Sequence, residues 1–95
     1  MGRTQPAQPK TVRGRIRGRG LIERITVRPR SSAPRFTADV YGLGPVRLVW
    51  IGQRIVPGID AGVELTFEGM ASQVEGHTTI YNPRYEIIGR PEASA

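Results

Sequence analysis

The stretch R-F-T-A-D-V-Y-G-L-G-P-V-R-L-V-W-I (35–51) decides the fold. Phe36, Ala38 and Val40 alternate with Arg35, Thr37 and Asp39, and then Val46, Leu48 and Trp50 alternate with Arg47, Val49 and Ile51. A period of two is the signature of a strand with one apolar face. Between the two runs, Gly42-Leu43-Gly44-Pro45 forms a tight turn, because glycine supplies the positive φ such turns need. The stretch therefore reads as two consecutive strands with one face in a core.

Outward from this pair, the same alternation recurs. Leu21–Arg28 sets Ile25 and Val27 against Arg24, Thr26 and Arg28, and Val63–Met70 sets Val63, Leu65 and Phe67 against Glu64, Thr66 and Glu68. His77–Ile88 is a last strand, bent or ended near Asn82-Pro83 because proline removes a ladder donor. Ser72–Gly76 reads as a turn. Residues 28–34 read as a loop, and 52–62 as a loop with at most one helical turn. Gly and Pro together number 20, and the longest run free of both is the eight residues Leu21–Arg28. An average helix of about 11–12 residues has no place to form. The prediction is an all-β chain with strands near 20–28, 35–41, 46–51, 63–70 and 77–88.

The charge is as uneven as the pattern is regular. Residues 1–35 carry ten basic groups and one acid, Glu23, whereas 36–95 carry four basic groups and seven acids. A chain polarised in this way is expected to bind an anionic partner through its N-terminal third, nucleic acid first, although part of the arginine excess also serves solubility. The 95 residues hold a single core. The absence of cysteine excludes disulfides and thiolate chemistry, and one histidine, His77, excludes a histidine metal cluster. No cofactor and no metal are expected. No apolar run approaches the ~20 residues of a membrane span. The first ten residues, MGRTQPAQPK, lack the apolar region of a secretory signal, so a cytoplasmic protein is expected.

Five short strands and a basic face suggest the OB-fold, a five-stranded Greek-key barrel that binds oligonucleotides on the face of its second and third strands. The expected organisation is a basic flexible N-terminal arm (1–17), the OB-fold domain (18–90) and a C-terminal tail (91–95). Several motifs sharpen this: Gly20–Ile22, L-V-W-I-G (48–52), I-V-P-G-I (55–59), G-V-E-L-T-F-E-G (62–69) and I-Y-N-P-R-Y-E (80–86). Together, the span 18–89 resembles small bacterial OB-fold nucleic-acid-binding proteins. Its ending resembles the wedge domain of RecG-type branch-migration helicases. The turn departs from the family's D-G-T-G, since Tyr41-Gly42-Leu43-Gly44 stands there. The resemblance implies binding of single-stranded or branched DNA, with RNA second, and a protein partner in DNA repair or recombination. No phosphate-binding G-x-x-x-x-G-K-[S/T] motif accompanies it, so no helicase motor is expected.

The candidate nucleic-acid-binding residues form two groups. Arg13, Arg15, Arg17 and Arg19 occupy alternate positions of R-G-R-I-R-G-R-G (13–20). Extended, they share a face that could follow a phosphate backbone; alternatively they belong to a solubilising tail. Arg24, Arg28, Arg35 and Arg47 fall on the outward face of the first three strands. Tyr41, out of phase with the core, is a candidate for base stacking. Trp50 is in phase with core residues but ends its strand, so it is both a core and a stacking candidate. Tyr81 and Tyr85 are expected to help close the barrel, or one of them to be exposed. Glu64 and Glu68 lie ~13 Å apart on one strand face, too far for a carboxylate dyad. His77 has no positioned nucleophile or orienting acid, and no enzymatic activity is expected. The rival reading is a protein-interaction module that uses the barrel as a docking surface.

Overall fold

The computed structural model describes residues 14–28 and 33–91. Arg13, most of the expected arm and residues 92–95 of the expected tail lie outside them. Six strands form one mixed sheet: β1 (Gly14–Arg28), β2 (Arg35–Tyr41), β3 (Pro45–Ile51), β4 (Glu64–Val74), β5 (His77–Tyr81) and β6 (Arg84–Gly89). Among the described residues there is no helix. The order is β1-β2-β3-β5-β4-β6, and an additional β1–β4 pairing closes the first five strands into a ring. All neighbours are antiparallel except β3 and β5, which run parallel.

The long first strand makes closure possible. Its first half, Gly14–Leu21, pairs with β4, and its second half, Leu21–Arg28, pairs with β2. The register shifts between Ile22 and Arg24, so Glu23 is an extra residue. Such a bulge bends the strand and resets its alternation. Ile22 and Ile25 thereby both face inward, opposite Val40 and Ala38. The same reset puts odd-numbered Arg15, Arg17 and Arg19 and even-numbered Arg24 and Arg28 on the outer side of one strand. Close packing in the first half also requires Gly18, whose Cα lies under the ring of Phe67 opposite it.

The interior follows the alternation. Phe36, Ala38, Val40, Leu48, Trp50, Val63, Leu65, Phe67 and Ile80 are buried. Each fully buried aliphatic or Phe side chain is worth about 1.5–3 kcal/mol. The loop after β3 contributes Val56 and Ile59 to this core. It is held by the hydroxyl of Tyr85, which donates to the Pro57 carbonyl at 2.7 Å. Tyr85 also meets Trp50 edge to face, with ring centroids 5.6 Å apart.

Three expectations are corrected. First, β1 begins at Gly14 rather than near residue 20. Arg15, Arg17 and Arg19 are therefore strand residues paired to β4, not part of an arm. Second, β4 continues through Ser72 to Val74. The turn is only Glu75-Gly76, both with positive φ (52° and 80°), as in a type I′ hairpin. Third, the five expected strands become six, because the break expected near Asn82-Pro83 divides the last strand into two. Its first part, β5, pairs with β3 and β4, and its second part, β6, pairs with β4 alone. The pieces diverge because Asn82 adopts φ 51°.

Candidate nucleic-acid interface

The registers of β1, β2, β3 and β5 arrange the outward side chains in three rows across the sheet. The first row is Arg24–Asp39–Arg47–Thr79, and the second is Thr26–Thr37–Val49–Tyr81. The third is Arg28–Arg35–Ile51. Successive rows are two residues apart along the strands, or roughly 7 Å. Every member except Ile51 lines one concave groove of about 360 Å³, together with Val74 and Glu75. Four arginines from three strands thus meet two carboxylates, Asp39 and Glu75.

Within the groove the charges are not all matched. Arg47 donates from Nε to Asp39 Oδ1 at 3.0 Å, and both side chains are about two-thirds buried. This pair fixes the Arg47 guanidinium on the groove floor. Arg24, Arg28 and Arg35 have no acidic partner among the described residues. A guanidinium is always charged and carries five donors in a planar fork, so three such groups around one concavity favour an anion with several oxygens.

The arginines of the first half of β1 have a different environment. Arg15 and Arg17 approach Glu68 at 3.3 and 3.5 Å, and Arg19 approaches Glu64 at 2.9 Å. The β1–β4 pairing causes this, since it sets Arg17 opposite Glu68 and Arg19 beside Glu64's position in the ladder. Exposed pairs of this kind contribute little stability, ~0–1 kcal/mol each, but they neutralise local charge. The two arginine groups occupy different parts of the outer surface and do not form one continuous row.

The aromatic candidates also separate. Trp50 is 4% exposed and wedged between Phe36 and Tyr85, so it is a core residue and has no free face for a base. Tyr41 is 51% exposed but lies outside the groove, between Leu21 and Pro45. Tyr81 is 41% exposed and lines the groove. The sequence placed it with Tyr85 in barrel closure and left open that one of the two is exposed; Tyr81 is the more exposed. The signal that distinguishes them was phase: Ile80 faces inward, so Tyr81 beside it faces outward. Val49 and Thr79, both on the groove side, were missed as floor residues because their neighbours across the β3–β5 pairing are distant in sequence. Both are nonetheless buried.

His77 is exposed, and its Nδ1 lies 3.2 Å from the Glu75 carbonyl. Among the described residues, no group of three or more His, Cys, Asp or Glu side chains could hold a metal ion. Nor is any helix among them long and apolar enough to cross a membrane. Comparison with protein-family models, curated proteins and solved structures finds no match for this chain.

Proposed function

We propose that this chain is an OB-fold protein that binds nucleic acid without catalysis, taking single-stranded or branched DNA in the β1-β2-β3-β5 groove. The fold reading is supported by the ring order β1-β2-β3-β5-β4-β1 with its parallel β3–β5 pairing. In OB-folds, oligonucleotides lie on the face of the second and third strands. The observation that carries the functional reading is the set Arg24, Arg28 and Arg35, lining one groove without acidic partners among the described residues. Affinity comes mostly from phosphate contacts, and sequence preference is weak because the groove offers no Asn or Gln to read base edges.

The test is a salt titration of binding to labelled single-stranded, duplex and branched DNA. Replacing Arg24, Arg28 and Arg35 together with Gln should reduce the slope of log K against log salt on single strands by about 2, at ~0.7 per lost contact. Replacing Arg15, Arg17 and Arg19 with Gln removes the same formal charge, but from groups already facing Glu64 and Glu68. It should change the slope by less than half as much. Equal losses would reduce the effect to net charge. No loss from the groove triplet would leave the protein-docking reading in its place.

A further inference from the structure

We propose that the groove selects an unpaired strand by stacking one base on Tyr81, with phosphates held by the arginine rows on either side. This rests on the nucleic-acid reading above and assigns a residue and a strand state to the same site. The first and third rows are cationic on balance: Arg24 and Arg47 flank Asp39 in one, and Arg28 and Arg35 stand side by side in the other. Between them the Thr26–Thr37–Val49–Tyr81 row carries no charge. The cationic rows are ~13 Å apart, at two residues per row step. A strand lying along the groove would therefore meet cations, then an uncharged floor ending in an aromatic ring, then cations again. Duplex DNA presents phosphates but keeps its base faces stacked inside, so it leaves this middle row uncovered. An unpaired strand can turn a base onto it.

Tyr81 is mounted for this contact. It follows buried Ile80 and precedes Asn82, whose N–H donates to the Val49 carbonyl at 2.6 Å. The Asn82 side-chain oxygen accepts from the Ile51 N–H at 3.2 Å. The chain is thus tied to β3 after the ring through Asn82, and before it Ile80 pairs with Leu48 in the β3–β5 ladder; a fixed mount reduces the ordering needed on binding. Tyr85 is engaged with Pro57 and Trp50, whereas the hydroxyl of Tyr81 has no partner among the described residues. Among the described residues its ring makes no contact with another aromatic ring.

The experiment measures fluorescence anisotropy of an oligothymidylate of about a dozen nucleotides, within the ~4–16 an OB-fold occupies. It compares the same strand with its bases removed and a duplex of equal length. The full chain should bind the intact strand about 5- to 160-fold more tightly than the abasic one, as stacking of one base implies. Tyr81→Ala should abolish that difference while leaving abasic binding unchanged and lowering the melting temperature by no more than about 8 °C. Tyr81→Phe should retain it, and Tyr41→Ala should leave it largely intact. Equal binding of intact and abasic strands by the parent chain overturns the stacking proposal while the nucleic-acid reading stands. So does a Tyr81→Ala variant that keeps the preference. A parent chain that binds neither strand nor duplex overturns the nucleic-acid reading itself.

Discussion

Gly18 and Phe67 provide a quantitative test of how β1 closes onto β4. They face each other in register. A Cβ on residue 18 would stand 2.5 Å from Cζ, 2.9 Å from Cε1 and 3.3 Å from Cε2 of the Phe67 ring. Carbon atoms prefer roughly 3.5–4.0 Å, so the ring must move by about 1 Å or more. Phe67 is 5% exposed, and it has Tyr85 opposite it on its other flank. The displacement is therefore passed into the core. Overpacking of this kind costs about 1–3 kcal/mol. Alanine recovers only ~0.5–1 kcal/mol of that through the smaller entropy it loses on folding. Gly18→Ala should thus destabilise the parent by about 1–2 kcal/mol, or roughly 4–16 °C in melting temperature. In a Phe67→Leu background the obstructing ring edge is absent, and the same substitution should be neutral or stabilising by up to about 1 kcal/mol. Urea denaturation of the parent, both single variants and the double variant gives the coupling energy, expected at about 1–3 kcal/mol. Additivity within about 0.5 kcal/mol, or a parent stabilised by Gly18→Ala, would refute the packing argument.

Trp50, buried against Phe36 and Tyr85, should emit at short wavelength and resist quenching by iodide or acrylamide. Adding an oligonucleotide should leave its emission almost unchanged, and quenching by bound bases would contradict its place in the core. At the β4–β5 turn, Glu75 holds a positive φ that asparagine tolerates better. Glu75→Asn should therefore stabilise the chain by about 0.5–1 kcal/mol in the same denaturation assay. It also removes one of the groove's two carboxylates, so oligonucleotide binding at low salt should tighten.

The sequence by itself determined the all-β class, the absence of helices among the described residues and most of the buried set. Those properties are local: the period of two assigned Phe36, Ala38, Val40, Leu48 and Phe67 to the interior, and Gly and Pro spacing left no room for a helix. It also placed Arg24, Arg28, Arg35 and Arg47 on the outer face, because they are out of phase with those core residues. Three things depended on which strands meet. The reach of β1 back to Gly14 was hidden because R-G-R-I-R-G-R has a single apolar residue, Ile16; its strand character comes from pairing with β4. That pairing brings Arg15, Arg17 and Arg19 to Glu64 and Glu68, across some fifty positions of sequence. The parallel β3–β5 pairing joins Tyr81 and Thr79 to the arginines of β1, β2 and β3. Of the remaining aromatics, Trp50 is closed inside and Tyr85, partly buried on β6, packs against it. Alternation fixes which side of a strand a residue faces, but only the registers between distant strands fix which residues it faces there.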